Sequence, residues 1–114
     1  MSDMPPLNGG ITEKHKDYLS VLAYIYLKNN QLDKAIVVYK ALWHLFPESE
    51  SLAFCLSYLY LNTKKFESAL FYADTYLAQK SSGLGFLLKS QAYAKLGQHF
   101  QAKEAIGSYF TNPR

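Results

Sequence analysis

The chain has 114 residues, of which 49% are hydrophobic and 18% charged, so it can bury a core without disulfides or a metal and is not of disordered composition. Its 12 Lys and Arg against 9 Asp and Glu give a formal charge of +3, too small and too dispersed to favour nucleic acid or an anionic membrane as a partner. The single cysteine, Cys55, lies in an apolar stretch, which excludes an internal disulfide framework and indicates a reducing compartment.

Residues 1–12 are predicted to form a flexible tail. They lack the basic and apolar segments of a secretory signal. The most apolar run, from Tyr18 to Leu27, is much shorter than the roughly 20 residues that cross a bilayer. The sequence therefore predicts no membrane insertion and one domain over residues 13–114.

Six helices are predicted, in chain order 13–28, 32–45, 49–62, 65–79, 83–96 and 99–111. Pro47 ends the second helix, and Ser49 is placed to cap the third. A residue in the left-handed conformation is expected at the helix ends near Asn29-Asn30, Lys64 and Gly97. Asn and Gly tolerate that conformation, whereas Lys tolerates it poorly.

The helices carry an internal repeat, marked by three Tyr and three Ala residues: Tyr26, Ala35, Tyr60, Ala69, Tyr93 and Ala102. In each copy the Tyr precedes its Ala by nine residues, and successive copies are 34 or 33 residues apart. A small residue lies three positions before each Tyr, at Ala23, Ser57 and Ser90. Antiparallel helices approach closely where one presents a small side chain and a ring fills the space beside it. The pattern predicts three helix pairs, at about 16–48, 49–82 and 83–114.

These residues resemble the tetratricopeptide family, whose repeat is 34 residues long. The first copy matches with Leu19, Leu22, Ala23, Tyr26, Ala35, Tyr39 and Pro47, whereas Leu42 and Lys89 depart from the pattern. The resemblance implies an all-α fold in which three tandem helix–turn–helix pairs form a short right-handed solenoid.

In tetratricopeptide stacks the first helix of each pair lines a concave partner-binding groove. The resemblance places in that groove Ser20, Tyr24, Leu27, Phe54, Tyr58, Leu61, Leu84, Leu87 and Gln91. The first helices of the first two pairs are also nearly apolar all round, so each needs cover on two sides. A groove without Lys and Asn disfavours a carboxylate clamp and favours another polypeptide with an apolar extended or helical segment. The same side chains could instead complete the core or pack a homodimer.

The end of the sequence suggests a second interface. Such stacks normally finish with a polar helix, whereas Ile106, Tyr109 and Phe110 lie near the end here. Either a partner covers these residues or the protein pairs with itself.

No residue pattern predicts catalysis, a cofactor or a metal. His15, His44 and His99 are far apart in sequence, the carboxylates are scattered, and nucleotide-binding and nucleophile motifs are absent. An RNA-binding helical repeat is the remaining rival, because Tyr24 and Tyr58 could stack on bases. No cluster of Lys or Arg accompanies them in the sequence.

The chain is similar in size and layout to the small tetratricopeptide chaperones of bacterial type III secretion, especially the YscY (SctY) type. The similarity is carried by the segment from Tyr24 to Ala35 and by Pro47 and Glu48. It implies a bacterial cytoplasmic chaperone that shields an apolar segment of a small exported partner of the YscX (SctX) type. The chaperone would then help deliver that partner to the export gate. A general scaffold for another peptide, or a homodimerising assembly protein, fits the same residues.

Overall fold

The computed structural model describes residues 13–47, 49–80 and 82–111, apart from the side chains of residues 13–18 and of Ser20. These residues form no strand and six α-helices: α1 Glu13–Lys28, α2 Leu32–Leu45, α3 Glu50–Asn62, α4 Phe66–Gln79, α5 Gly83–Lys95 and α6 His99–Thr111. The predicted all-α class is confirmed, and each helix boundary lies within one residue of its prediction. The predicted tail, residues 1–12, lies outside the described residues.

The chain divides into two packed units, Met1–Pro47 and Glu48–Arg114. In the first unit, α1 packs against α2. In the second unit each helix from α3 to α6 packs against the next, and α3 also contacts α5. The first helices of the second and third predicted pairs are therefore neighbours in space.

The nine-residue spacing between Tyr and Ala is explained by the backbone of the turns. In the second copy, the N–H of Lys65 donates to the carbonyl oxygen of Tyr60, and the carbonyl oxygen of Lys65 accepts from the N–H of Ala69. The other two turns have the same pair of bonds, through Gln31 and Gln98. Because the first bond spans five residues and the second spans four, the Tyr and the Ala are fixed nine residues apart.

A left-handed residue ends the first helix at each of these turns, as predicted. The φ angles are 59° at Asn30, 67° at Lys64 and 80° at Gly97. At Asn30 and Gly97 the residue suits the conformation, whereas Lys64 adopts it against its own preference. The predicted cap is also confirmed, since the Ser49 hydroxyl accepts from the N–H of Leu52 at the start of α3.

Five of the six small residues of the repeat are buried, and the sixth, Ser90, is half-buried. Ala23, Ala35, Ser57 and Ala69 are all at most 1% exposed. Gly85 serves the same purpose between α4 and α5, because a Cβ atom added to it would lie 2.6 Å from the Leu77 side chain. The second unit is thus held together where small residues let helices approach.

Candidate functional site

The predicted groove residues of α3 and α5 form two stripes. Phe54, Tyr58 and Leu61 are spaced by four and three residues on α3, and Leu84, Leu87 and Gln91 by three and four on α5. This spacing keeps each set on one side of its helix. Because α3 contacts α5, the two stripes belong to one part of the second unit.

A cavity of about 320 Å³, here called cavity A, lies at the start of these stripes and is lined by Glu50, Ser51, Phe54, Cys55, Tyr76, Lys80 and Leu84. It brings together the predicted residues Phe54 and Leu84. The Phe54 ring lies 5.3 Å from that of Tyr76 on α4, an aromatic contact that holds it in place. Lys80 and Glu50 pair at the rim, 3.9 Å apart and both well exposed, and such a pair contributes little to stability.

A second cavity of about 460 Å³, here called cavity B, lies at the far end and is lined by Leu61, Asn62, Lys64, Phe66, Gln91, Ala94 and Lys95. It brings together two more predicted residues, Leu61 and Gln91. Both cavities are mostly apolar, but cavity A is lined by one lysine and one glutamate that pair with each other, whereas cavity B is lined by two lysines and by no carboxylate. The two ends of the surface therefore differ in charge, and the end at cavity B is basic.

Large apolar side chains on this surface are open to solvent. Tyr58, between the residues of the two cavities along α3, is 46% exposed, and Leu84 is 50% exposed. Phe54, Leu61 and Leu87 are half-buried. The exposed pair argues against the alternative that the stripes simply complete the core, since core side chains are covered.

The groove residues of the first unit lie on α1. Tyr24 is 54% exposed, with the Lys28 ammonium 6.0 Å from the centre of its ring, and Leu27 is half-buried. Val21 and Ile25 are exposed on the same helix, whereas Ala23 is fully buried. The side chain of Ser20 lies outside the description. This unit therefore also presents apolar side chains to solvent.

The predicted C-terminal interface is only partly open. Phe110 is the most exposed of its residues, at 77%, with its ring edge-on to Tyr109 at 5.2 Å. Tyr109 and Ile106 are half-buried. Tyr109 lies against the start of α5, because a Cβ atom on Gly83 would be 3.2 Å from the Tyr109 ring. Tyr109 therefore packs within the unit and leaves Phe110 as the open part.

Sequence reasoning missed Tyr76, Lys80, Lys64 and Lys95, all of which line the cavities. The sequence gives a weak signal for Tyr76. It lies one repeat after Leu42, at a position where the tetratricopeptide pattern expects a small residue, and it is aromatic instead. No sequence signal predicts the basic end of the surface, because Lys64 and Lys95 are far apart in sequence. The contact between α3 and α5 brings them together. Lys64 and Lys95 thus meet at cavity B, whereas no cluster of Lys or Arg accompanies Tyr24 and Tyr58 in the sequence.

The side chains that line cavities A and B offer apolar contact, hydrogen bonding and charge. Across the described residues, no group of three or more His, Cys, Asp or Glu side chains could hold a metal ion. No helix in the described part is both long enough and apolar enough to span a bilayer.

When the chain is compared with known proteins, no family model matches it and neither does any curated protein.

Proposed function

We propose that this chain is a non-enzymatic polypeptide-binding protein whose α3–α5 surface holds an apolar segment of its partner. One observation carries the proposal: cavities A and B lie at the two ends of stripes on which Tyr58 and Leu84 remain about half exposed. Exposed apolar surface combined with concavity is typical of partner sites. Cavity A is at the lower limit of small-molecule sites, about 300 Å³, and suits a partner's apolar side chains.

The proposed architecture is three tetratricopeptide-like pairs in a right-handed solenoid. Its support is the turn found three times, with the same backbone bonds on Tyr26, Tyr60 and Tyr93 and one residue in the left-handed conformation before each second helix. Repetition of one supersecondary unit at a fixed period is the signature of repeat proteins.

Within this class we propose a bacterial cytoplasmic export chaperone that resembles the YscY (SctY) type. Its partner would be a small exported polypeptide of the YscX (SctX) type, kept in solution and delivered to the export gate without ATP. Apolar side chains that are only about half exposed, such as Tyr58 and Leu84, suit this task, because the partner must leave again at the gate. A general scaffold for another apolar peptide would use the same surface.

The test is capture from the native cell with tagged wild type, Tyr58→Glu and Phe71→Glu, followed by mass spectrometry. Tyr58→Glu places a charge in the apolar contact, and losing a hot-spot aromatic costs about 2 kcal/mol or more of binding. Phe71 is the matched control, since it is 60% exposed on α4 and lines neither cavity A nor cavity B. We expect a small polypeptide on wild type and Phe71→Glu that is lost on Tyr58→Glu, with helicity and Tm kept in all three.

Phe54 is left intact in this test because its ring packs on Tyr76 and a charge there would also disturb the fold. A partner that stays bound to Tyr58→Glu would place the binding surface elsewhere. A salt titration separates the RNA-binding alternative, because binding through phosphates weakens steeply with ionic strength whereas apolar burial does not.

Self-assembly is a second candidate, and the 77% exposure of Phe110 favours it. An exposed ring at the end of α6 could pair with the same ring in a second copy across a two-fold axis. Sedimentation velocity over a range of concentrations would show a dimer that Phe110→Glu dissociates. A monomer at every concentration would remove this candidate.

A further inference from the structure

The three left-handed turns have one backbone but different residues. The first turn contains Asn30 and Gln31, the third contains Gly97 and Gln98, and the middle turn contains Lys64 and Lys65. Lys64 has a φ of 67°, a conformation that an L side chain rarely adopts without a cost. The chain therefore keeps a lysine where Asn or Gly would relieve the backbone.

Lys65 is also poorly suited to its local position. It is the N-cap of α4 and makes no side-chain cap hydrogen bond. A cation at a helix N-terminus opposes the positive end of the helix dipole. Lys64 gains from the dipole at the end of α3, but Lys65 loses at the start of α4, so the helix termini alone do not explain the pair.

These lysines meet a third at the end of the candidate surface. Lys64 and Lys95 both line cavity B. An adjoining cavity of about 270 Å³ is lined by Lys64, Lys65, Phe66, Glu67, Ser68 and Leu96. Glu67 is the one carboxylate among the residues that line these two cavities, against three lysines. In the described part of the chain the ion pairs lie elsewhere, at Lys80–Glu50 and Lys89–Asp74.

We infer that this basic end, formed by Lys64, Lys65 and Lys95, binds an acidic group on the same partner segment whose apolar side chains enter cavity A. The inference rests on the proposed function and specifies the chemistry of its partner. Residues that break local rules are often found at functional positions. Here two successive residues, Lys64 and Lys65, are poorly suited to their local positions, and both are cations beside the surface.

The length of α3 between the two cavities predicts the spacing between the apolar anchor and the acidic group of the partner. Phe54, in cavity A, and Asn62, in cavity B, are eight residues apart on α3, which is about 12 Å of helix. A helical partner would therefore carry its acidic side chain about eight residues from its apolar anchor. An extended partner would carry it about four residues away.

The experiment uses the full chain and three designed helical peptides that carry a fluorescent label. Each has a row of Leu on one face, and about eight residues from the first Leu it has a pair of Glu, of Gln or of Lys. Fluorescence anisotropy at low salt gives the Kd for each peptide. The double variant Lys64→Gly with Lys65→Gln converts the middle turn into the residues of the third turn, and Asn30→Gly is the matched control in the first turn.

We expect wild type to bind the Glu peptide about two- to five-fold more tightly than the Gln peptide, and the Lys peptide most weakly, because exposed ion pairs contribute modestly. This preference should disappear in the double variant and at about 1 M salt, and should persist in Asn30→Gly. The double variant should also melt a few degrees higher, since the strain at residue 64 is relieved. If the double variant binds the Glu peptide more weakly although it is more stable than wild type, loss of fold cannot explain the weaker binding.

Equal affinity for the Glu and Gln peptides, with both lost in Tyr58→Glu, would overturn the acidic preference and leave the apolar groove in place. Failure of all three peptides to bind would overturn the proposed groove together with the inference. A single-stranded RNA oligonucleotide that competes with the Glu peptide for the three lysines would also overturn it, because the basic end would then serve phosphates.

Discussion

The hydroxyl of Ser57 donates a 2.8 Å hydrogen bond to the carbonyl oxygen of Ala69, and neither residue is more than 1% exposed. Ser57 is the small residue three positions before Tyr60, and Ala69 is the residue nine positions after it. Two marks of the sequence repeat are therefore in direct contact between α3 and α4. The size of residue 57 controls how closely these helices approach.

We expect Ser57→Ala to lower the free energy of unfolding by about 1 kcal/mol, the usual net contribution of a hydrogen bond. Ser57→Leu should cost more, about 1 to 3 kcal/mol for overpacking in addition, because residue 57 is fully buried. Urea denaturation followed by circular dichroism measures both. Ser51→Ala on the same helix is the control and should change stability by less than about 0.5 kcal/mol, since Ser51 is exposed. A Ser57→Leu protein as stable as wild type would show that α3 and α4 are not closely packed here.

Two glycines in helices should respond to alanine in opposite directions. A Cβ atom on Gly85 would lie 2.6 Å from the Leu77 side chain and 3.0 Å from Tyr76, so Gly85→Ala should destabilise the protein by about 1 to 3 kcal/mol. A Cβ atom on Gly107 would have no atom within 4 Å apart from its chain neighbours and the nearby backbone of its own helix, so Gly107→Ala should stabilise α6 by up to about 1 kcal/mol. Thermal melts of wild type and of the two variants show whether each substitution raises or lowers the Tm. A stabilising Gly85→Ala would contradict the close approach of α4 and α5.

The sequence predicts the helices and turns well because their causes are local. The bonds from Tyr60 to Lys65 and from Lys65 to Ala69 lie within one turn, so they leave a regular spacing that can be read directly. The surface depends on how each helix is rotated, which periodicity does not determine when apolar residues occur on every side. On α4, Phe71 and Tyr72 are adjacent aromatic residues, yet the first is 60% exposed and the second 8%. Periodicity alone therefore does not show which side chains of α4 line cavity A.

Alkaline pH should destabilise the second unit through Tyr60. Burial beside Tyr72, whose ring stacks on it at 5.7 Å, raises the pKa of Tyr60 above its ordinary value of 10.0. A raised pKa means that the fold favours the neutral phenol, so this contribution is complete below pH 10 and is lost as the pH rises through the folded-state pKa. Unfolding free energies measured from pH 8 to pH 11 should fall less steeply for Tyr60→Phe than for wild type. Equal slopes would show that Tyr60 does not contribute.

A substitution at Leu84 can distinguish a side chain that enters cavity A from a partner that only lies across the surface. Leu84 lines the cavity and is 50% exposed, so Leu84→Trp adds apolar area and also fills space. If an anchor enters cavity A, Leu84→Trp should weaken binding of the designed Glu peptide although the surface has become more apolar. Phe100→Trp is the control, because Phe100 is 70% exposed on α6 and lines neither cavity A nor cavity B. Tighter binding by Leu84→Trp would mean that the partner lies across the opening, since added apolar contact then increases affinity.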